Sequence, residues 1–588
     1  MIKRLARCIR EYKKPSILTL IFIVLEVIIE VLIPFMATIL IEKVQVATSV
    51  GGDAARAMIG EIVFLGVILI LMAAASLTCG GVAAMTCAKA STGFAKNLRH
   101  DIFMKVQAFS FENIDKFSST SLVTRLTTDV ANVQMSYMMI IRTAIRAPLM
   151  LIFAIVMAIF VGGKLALTFA VIVPFLTFGL VLVARLAMPA FRKVFKKYDK
   201  LNESVEENVR GMRVVKGFSR EKHEIGKFKR AADDICADFT KAERIVALNS
   251  PFMQICAYFS MIFVTLLGAK LAIINTDLGG VATISAMLTY GMQVLIQLMM
   301  LSMIYVILTI SAESAKRVCE VLEEVPSLSN PENAVCEVKD GSIDFECVNF
   351  KYAEDAEAFS LEKVDLHIDS GMTVGIIGGT GSSKTSLIQL IPRLYDATSG
   401  EVRVGGVPVK DYDVKTLRDA VSVVLQKNEL FSGTIAENLR WGNEGATDEE
   451  LVEACKIAQA DEFVSSFPEG YNTYIEQGGT NVSGGQKQRL CIARALLKKP
   501  YILIMDDSTS AVDTKTDTMI QKAFRTEIPD TTKIIIAQRI SSVEHADKII
   551  VMENGMIDAI GTHEELLETN AIYKEVYTSQ MKGGLGDE

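Results

Sequence analysis

Residues 374–386 read Val-Gly-Ile-Ile-Gly-Gly-Thr-Gly-Ser-Ser-Lys-Thr-Ser, an apolar strand that runs into a glycine-rich loop and the start of a helix. The stretch nearly fits the phosphate-loop pattern GxxxxGK[ST]. Gly378 and Gly381 let backbone N–H groups close around phosphate oxygens, and the helix N-terminus favours the same anion. Lys384 brings positive charge to the terminal phosphates, and the Thr385 hydroxyl is a ligand for Mg²⁺. This pattern predicts an α/β domain that binds a nucleotide.

Two further features bear on the loop. Ser383 stands where the pattern has glycine, and since serine keeps the backbone N–H but restricts φ, we expect binding to survive. The apolar run Tyr501–Met505 predicts a second strand, which Asp506 follows. A carboxylate at a strand end beside a phosphate loop predicts an anchor for Mg²⁺. A polar strand terminator is the plainer interpretation of Asp506, but its pairing with Lys384 favours the anchor.

The composition places this domain in a larger chain. The protein has 588 residues, 50% of them hydrophobic, with long apolar runs up to about residue 310 and none beyond. A net charge of −7 gives no reason to expect a nucleic-acid partner. The ten cysteines form no CxxC pair and the five histidines form no ligand cluster, so we expect free thiols.

Six apolar segments are each long enough to cross a bilayer as a helix. The connections at 88–136 and 188–249 are long and rich in Lys and Arg, so the positive-inside rule places them and both termini in the cytoplasm. Residues 1–14 carry apolar residues on one helical stripe, which predicts a basic amphipathic helix on the inner membrane surface. The six segments lie at roughly 15–42, 58–85, 137–161, 163–187, 250–274 and 281–310.

The two long connections have helical spacing of apolar residues, which predicts helical arms that continue out of the membrane. Breaks at 111–121 and 209–217 mark where each arm turns back. A short helix at such a turn would be well placed to touch a cytoplasmic domain. Solvated helical hairpins are the alternative.

Several polar residues lie inside the predicted spans. Glu26 and Glu30 share one helix face, and the Arg142/Arg146 pair is their possible partner. Charge inside a membrane predicts a function, although a purely structural interhelical pair is an equally open interpretation. A polar stripe on the last span predicts either a cavity lining or helix packing. Its members are Tyr290, Gln293, Gln297 and Met300.

The order of short motifs in the second half of the chain resembles the nucleotide-binding domain of ABC transporters. Ser-Gly-Gly-Gln at Ser483–Gln486 is the most diagnostic motif, because ordinary phosphate-loop enzymes lack it. Six spans ahead of such a domain resemble a half-transporter of the ABC exporter class, over essentially the whole chain. The matching positions are Tyr352, Gly378–Ser386, Gln426, Val482–Gln486, Asp506, Ser510–Asp513 and Gln538.

The resemblance implies a multidomain fold. An all-α six-helix transmembrane domain with long cytoplasmic helical extensions would be followed by an α/β P-loop NTPase domain of the ABC ATPase type. The expected divisions are an interfacial helix at 1–14, the transmembrane domain at 15–322, a linker at 323–339 and the ATPase domain at 340–588.

The resemblance also implies ATP and Mg²⁺ as ligands. Tyr352 would stack on adenine, and Ser510–Asp513 would lie along a dimer seam. The metal set would be Thr385, Gln426 and Asp506, with Gln426 also sensing the attacking water. The residues expected to contact nucleotide are Tyr352, Gly378, Gly379, Thr380, Gly381, Ser382, Ser383, Lys384, Thr385, Ser386, Ser483, Gly484, Gly485, Gln486 and Asp513.

Two positions depart from the family pattern. The family's general base is Glu where this chain has Asp507, and its switch residue is His where this chain has Gln538. One methylene fewer withdraws the carboxylate by roughly 1 Å, and a misplacement of that size can cost on the order of 10²-fold in rate. Gln538 can donate a hydrogen bond but carries no charge. The candidate catalytic set of Asp507, Gln538 and Gln426 therefore predicts a site that binds ATP and hydrolyses it slowly.

In this family each ATP lies between the phosphate loop of one subunit and the signature of the other. The loop of this chain would form a slow site, whereas its intact signature would complete the site of a partner. We therefore predict a heterodimer with a second ABC half-transporter in the plasma (inner) membrane, with both termini and the ATPase domain cytoplasmic. The pair would export hydrophobic or amphiphilic drugs, lipids or peptides from the cytoplasm or inner leaflet.

Other functions fit parts of the pattern. An ATP-gated channel or regulatory sensor subunit would suit a slow site and the charged pair in the spans. A homodimeric exporter is a further alternative. The spans exclude a soluble phosphate-loop enzyme, and an importer is disfavoured because the spans and the ATPase share one chain.

Overall fold

The computed structural model describes residues 1–274, 280–353, 356–507 and 512–584. These residues divide into two compact units. The first comprises Met1–Gln107 and Ser119–Glu324, and the second comprises Ala108–Ser118 and Val325–Glu588. The change from the first unit to the second after Glu324 falls inside the linker expected at 323–339.

The first unit is helical in all of its regular structure that the model describes. Short turns join several of the helices: a 3₁₀ turn at Arg10–Tyr12, a π-helical turn at Arg125–Asp129 and a 3₁₀ turn at Gly163–Ala166. In chain order the helices up to residue 323, of which α4 belongs to the second unit, are α1 Ile2–Arg7, α2 Lys13–Val50, α3 Gly52–Gln107, α4 Phe111–Phe117, α5 Ser119–Thr124, α6 Val130–Ile141, α7 Thr143–Gly162, α8 Leu167–Arg210, α9 Met212–Gly217, α10 Glu221–Ala247, α11 Asn249–Ile274 and α12 Val281–Glu323.

Five helical stretches among the described residues are long and apolar enough to cross a membrane. One of them, Ser119–Phe191, has 73 residues, far more than the ~20 that one crossing needs. Within it α7 ends at Gly162, a 3₁₀ turn covers Gly163–Ala166, and α8 begins at Leu167; Gly163 has a φ of +48°, which glycine adopts without strain. The other four stretches are Arg10–Val50, Ala55–Gln107, Glu221–Leu271 and Val281–Glu323.

The predicted arms continue the spans as unbroken helix. Helix α3 extends to Gln107, and α8 extends to Arg210, each about 22 residues beyond the predicted end of its span. Short helices α4 and α9 follow these ends, within the predicted breaks. An ion pair of 2.7 Å between Lys197 Nζ and Asp238 Oδ2 joins α8 to the returning helix α10.

The charged residues of the predicted spans form one cluster. Arg146 Nη2 on α7 lies 2.6 Å from Glu30 Oε2 and 3.5 Å from Glu26 Oε1 on α2. Arg142 makes no ion pair with either glutamate in the described structure. The predicted partnership of Glu26 and Glu30 is therefore confirmed for Arg146.

The polar stripe of the last span is mostly packed. Tyr290 is buried and its hydroxyl donates to the carbonyl of Val31 at 2.9 Å, and Gln297 is buried as well. For these two residues the structure favours helix packing over a cavity lining.

The N-terminus differs from the continuous helix expected over 1–14. Helix α1 ends at Arg7, and Arg10 then takes a φ of +41°, which interrupts the helix. Arg10 Nη2 contacts Asp101 Oδ1 at 2.7 Å, and Cys8 is buried. The ion pair to α3 thus coincides with the break, which periodicity within 1–14 could not reveal.

The second unit contains two main sheets and a short two-stranded ribbon, β7–β8. A four-stranded antiparallel sheet has the order β2-β1-β4-β5, and a six-stranded sheet has the order β12-β11-β3-β10-β9-β6, parallel except for β12. The strands are β1 Ile343–Phe350, β2 Leu361–Ile368, β3 Thr373–Gly378, β4 Ser399–Val404, β5 Val407–Pro408, β6 Val421–Val424, β7 Gly433–Thr434, β8 Tyr474–Ile475, β9 Ile502–Asp506, β10 Thr532–Ile536, β11 Lys548–Glu553 and β12 Met556–Gly561.

Besides α4, nine helices belong to this unit in the described residues. Every residue of β9 and β10 is buried, and their apolar runs are Ile502–Met505 and Ile534–Ile536, as expected for parallel strands covered on both faces. Since the strands are parallel, the chain leaves β3, β10, β9 and β6 at the same edge, where a ligand is expected. The helices are α13 Lys384–Leu390, α14 Val414–Ala420, α15 Ile435–Arg440, α16 Asp448–Ile457, α17 Asp461–Ser466, α18 Gly484–Leu496, α19 Thr514–Glu527, α20 His563–Thr569 and α21 Ala571–Gly584.

Residues 108–118, which we expected to belong to the transmembrane domain, cluster with the second unit. The Tyr395 hydroxyl donates to Asp115 Oδ2 on α4 at 2.5 Å, and the rings of Phe111 and Tyr395 pack edge to face. Asn113 Nδ2 donates to the carbonyl of Val325 at 3.2 Å. These contacts are long-range in sequence and so lay beyond prediction from local pattern.

Candidate nucleotide site

The loop between β3 and α13 has the backbone geometry of a phosphate cradle. Gly378 ends β3, and a Cβ there would lie 2.3 Å from the carbonyl oxygen of Met552, so only glycine fits. Gly381 takes a φ of +83°. Gly379, Thr380 and Ser382 complete the turn into α13, whose free N–H groups favour an anion.

Lys384 lies over this loop. Its Nζ donates to the carbonyls of Gly378 and Gly379 at 2.9 and 2.8 Å and to Ser382 Oγ at 3.2 Å. Burial lowers the pKa of the Lys384 ammonium, and the charges of Asp506 and Asp507 oppose that effect. The cation is thus held at the loop by weak neutral acceptors, for which a phosphate would be a stronger substitute.

Ser383 shows what its departure from glycine costs. Its φ and ψ are +65° and +27°, in the left-handed region, where a side chain costs on the order of 1 kcal/mol. The turn is nevertheless completed at Ser383, and α13 begins directly after this residue. The expected restriction of φ is therefore present as local strain.

Thr385 and Asp506 meet in the place expected for a Mg²⁺ site. Thr385 Oγ1 donates to Asp506 Oδ2 at 3.0 Å and Oδ1 at 3.2 Å. Burial raises the pKa of Asp506, and the hydrogen bond from Thr385 opposes this. A hydroxyl and a carboxylate are the hard oxygen ligands that Mg²⁺ prefers. No cluster of three or more His, Cys, Asp or Glu that could hold a metal occurs among the described residues, so phosphate oxygens would have to complete the shell.

Asp507 is held by the two glutamines of the candidate catalytic set. Its Oδ2 accepts from Gln538 Nε2 at 2.7 Å and from Gln426 Nε2 at 3.4 Å. Its φ is +49°, and its backbone N–H donates to the carbonyl of Ile536 at 3.0 Å. Burial raises the pKa of Asp507, and both amides oppose the rise. The structure therefore brings all three candidates together on one oxygen.

Tyr352 lies beside the first turn of α13. Its hydroxyl is 2.9 Å from Ser386 Oγ and donates to Gln389 Oε1 at 3.0 Å. The Tyr395 ring meets it edge-on, with centroids 5.2 Å apart, and Tyr352 is still 42% exposed. Its ring is thus fixed at the hydroxyl end and remains accessible to a flat ligand.

The signature Ser483–Gln486 starts helix α18 with a capping box. Ser483 Oγ accepts from the N–H of Gln486 at 3.2 Å, and the N–H of Ser483 donates to Gln486 Oε1 at 2.9 Å. Ser483 and Gly484 are exposed, and Gly485 is partly so. In the described structure the motif makes no hydrogen bond to the phosphate loop. The capping box therefore preorders the N-terminus of α18, and a helix N-terminus is a favourable place for an anion.

Two family models match this chain. The model described as the ABC transporter transmembrane region matches residues 16–299, and the model described as ABC transporter matches residues 361–510. The Bacillus subtilis protein named "Uncharacterized ABC transporter ATP-binding protein YfiB" is 36% identical over 518 residues, which are 88% of this chain and 89% of that protein.

The chain belongs to the ABC transporter family.

Two more similarities extend this result. A fatty acid ABC transporter ATP-binding/permease protein of Mycobacterium bovis is 33% identical over 480 residues, covering 82% of this chain and 75% of that protein. The structure of a bacterial Atm1-family ABC exporter with ATP bound superposes with a TM-score of 0.82 at 22% identity, over 97% of this chain and 99% of that one. The ABC transporter described here thus has the fold of that exporter.

Family membership gives the two units their general roles. The helical unit makes this ABC transporter a membrane protein, and the second unit is an ATPase domain that binds ATP. The family couples ATP hydrolysis to transport across the membrane.

Asp513 takes a structural position in this ABC transporter. Its carboxylate caps α19 by accepting from the N–H of Thr516 at 2.9 Å, and this bond is the main cause that lowers the pKa of Asp513. Ser510, expected at the dimer seam with Asp513, lies outside the described residues.

One contact near the site was missed from sequence. Gln488, in the first turns of α18, is buried, and its Nε2 donates to the carbonyl of Asp507 at 3.3 Å. It links the signature helix to the end of β9. Its place two residues after Gln486 was the one available signal, and the direction of its side chain depends on tertiary packing.

Proposed function

We propose that this ABC transporter is one subunit of an ATP-driven exporter. Its six predicted spans cross the plasma (inner) membrane, and the ATPase domain lies in the cytoplasm. The supporting observations are the exporter fold, the break at Gly163–Ala166 between α7 and α8 within the 73-residue stretch, and the basic connections at 88–136 and 188–249.

The chain's own ATP site is proposed to bind ATP and hydrolyse it slowly. The observation that carries this is the 2.7 Å hydrogen bond from Gln538 Nε2 to Asp507 Oδ2. A general base must reach the attacking water, and this carboxylate is one methylene short of Glu and already engaged by amides. Burial raises the pKa of Asp507, so its carboxylate is not a weak base. The short reach of this carboxylate and its hydrogen bonds to the two amides are therefore what slow ATP hydrolysis.

The same site is proposed to use Mg²⁺. Thr385 Oγ1 and Asp506 are the groups that would hold the ion. Gln426, the third expected ligand, is hydrogen-bonded to the neighbouring residue Asp507. Mg²⁺ would supply neutralisation of charge on the transferred phosphoryl group. Lys384 holds the terminal phosphates, and the α13 N-terminus orients them.

The signature is proposed to serve a second ABC half-transporter. The capping box presets Ser483–Gln486 as an anion-binding helix end, and Ser483 and Gly484 are exposed. A subunit whose own ATP site hydrolyses slowly can still contribute its intact signature to the ATP site of a partner. That partner would carry Glu and His at the positions of Asp507 and Gln538. Hence we propose a heterodimer.

The transported substrates are proposed to be hydrophobic or amphiphilic. The spans of the helical unit are mostly apolar, and the name of one relative, a fatty acid ABC transporter, refers to an amphiphilic substrate. Residues 108–118, covalently between α3 and α5 and held by Tyr395, would transmit the state of the ATPase domain to the spans.

The test is the ATPase activity of the purified chain, alone and with a co-expressed second half-transporter. We expect weak turnover alone and strong turnover in the pair. Asp507→Ala should leave the activity of the pair nearly unchanged, and Ser483→Ala in this chain should reduce it strongly. Strong turnover by the chain alone that Asp507→Ala abolishes would instead identify a homodimer with two competent sites.

A further inference from the structure

A cavity of about 920 Å³ lies between α8 and α12 in the helical unit. Its volume is within the ~300–1,000 Å³ typical of small-molecule sites. Most of its wall is apolar, which suits a hydrocarbon chain. The apolar lining residues are Leu180, Val181, Ala184, Met188, Leu298 and Leu301.

The cavity is long enough for a lipid-like chain. Its lining on α8 runs from Thr177 to Lys193, a rise of sixteen residue steps that spans roughly 24 Å at 1.5 Å per residue. Half of a bilayer's hydrocarbon core is about 15 Å thick. The cavity can therefore hold the acyl chain of one leaflet together with its headgroup.

Two cationic side chains line the α8 wall of the cavity, Arg185 near the middle of that wall and Lys193 at its end. None of the described lining residues is a carboxylate. Lys193 Nζ lies 3.5 Å from Asp238 Oδ2 on α10, an oxygen that Lys197 Nζ approaches more closely, at 2.7 Å. Arg185 makes no ion pair within the described part of the chain. One guanidinium thus remains to be neutralised beside an apolar wall.

We propose that this cavity binds a single-chain carboxylate amphiphile from the inner leaflet, with its headgroup on Arg185 and its chain along the apolar wall. Arg185, which makes no ion pair in the described residues, attracts a negative charge, and its planar guanidinium can hold a carboxylate through two hydrogen bonds. The same cation disfavours an amphiphile with an ammonium headgroup. The leaflet assignment rests on the proposed function, which sets the orientation of the spans.

The experiment measures binding to the purified full chain in nanodiscs of neutral lipid, without ATP or partner. The probe is a fluorescent fatty acid, dansylaminoundecanoate, and empty nanodiscs correct for partition. Oleate, oleamide and oleylamine are the competitors that displace the probe. They were chosen because they share a hydrocarbon chain and differ in headgroup. We expect oleate to be the strongest competitor and Arg185→Gln to weaken oleate on the order of tenfold, with oleamide unchanged.

Three variants keep the outcome decisive. Lys200→Gln removes an exposed cation seven residues beyond Lys193 on α8, outside the cavity, and should leave oleate binding unchanged. Ala184→Phe should fill the cavity and weaken the binding of all three competitors. If Ala184→Phe lowers the melting temperature of the protein, Leu301→Phe is used in its place. Equal displacement by oleate and oleamide, or wild-type oleate binding in Arg185→Gln, overturns the proposal. The binding experiment requires no ATP hydrolysis. A negative binding result would therefore overturn this proposal without affecting the ATPase test of the proposed function.

Discussion

The side-chain amide of Gln538 donates a 2.7 Å hydrogen bond to the carboxylate of Asp507. The resemblance to ABC transporters implies a departure from the family's catalytic pattern at these two positions, and the structure places the two side chains in direct contact after the ends of β9 and β10. A shorter carboxylate and an uncharged amide therefore act as one unit. The effects of substitutions at the two positions on ATPase activity should therefore be strongly non-additive.

The first prediction concerns restoration of this unit. Asp507→Glu with Gln538→His should raise the ATPase activity of the chain on the order of 10²-fold, since the base regains its reach. Asp507→Glu alone should recover much less, because the uncharged amide of Gln538 remains beside the carboxylate. Steady-state phosphate release measures both. Lys384→Ala in the double variant is the control and should abolish the gain.

The second prediction concerns the attachment of residues 108–118. Tyr395→Phe removes the 2.5 Å hydrogen bond to Asp115 and should loosen α4 by about 1–3 kcal/mol, since a carboxylate loses its donor. Hydrogen exchange of 108–118 should accelerate while exchange in β9 stays unchanged. Tyr501→Phe, at a half-exposed tyrosine, is the matched control. Unchanged protection of α4 in Tyr395→Phe would mean that ring packing alone holds it.

The third prediction concerns the charge cluster of the spans. Arg146→Met leaves Glu26 and Glu30 unpaired and should lower the free energy of unfolding by about 3 kcal/mol. Adding Glu26→Gln and Glu30→Gln should restore most of it, because the uncompensated charge is then gone. Thermal melts in detergent compare the variants, with Arg142→Met as control. A triple variant no more stable than Arg146→Met would refute the charge explanation.

The fourth prediction concerns pH. His367 Nδ1 lies 2.5 Å from Asp344 Oδ1, its cross-strand neighbour, and Nε2 lies 3.0 Å from Asp369 Oδ1. The hydrogen bond to Asp344, followed by that to Asp369, raises the pKa of His367. Its stabilisation is therefore full below the unfolded pKa of about 6.5 and is lost as pH rises through the higher folded value.

Melting temperatures from about pH 5.5 to about pH 8.5 should show this loss. His367→Gln should flatten the dependence in that window, and His545→Gln, at an exposed histidine near Glu544, should leave it as in the parent chain. An identical pH profile for His367→Gln would assign the dependence to other groups.

Local pattern was sufficient for much of the fold and site. The strand before Gly378, the strand before Asp506 and the long apolar helices were predictable, because strand and helix periodicity is written in consecutive residues. The breaks that follow α3 and α8 were predictable for the same reason. The interruption at Arg10 and the attachment of α4 to Tyr395 were not, since each depends on a residue distant in sequence.

By itself, the sequence determined which groups this transporter carries: a phosphate loop with Ser383, a carboxylate at Asp507, an amide at Gln538 and an intact signature. Only the tertiary structure decided that Gln538 and Gln426 share one oxygen of Asp507, and that Arg146 rather than Arg142 meets Glu30. The physical reason is that residue identity fixes the available chemistry, whereas strand order, helix packing and rotamers select which of the possible partners come within hydrogen-bond distance.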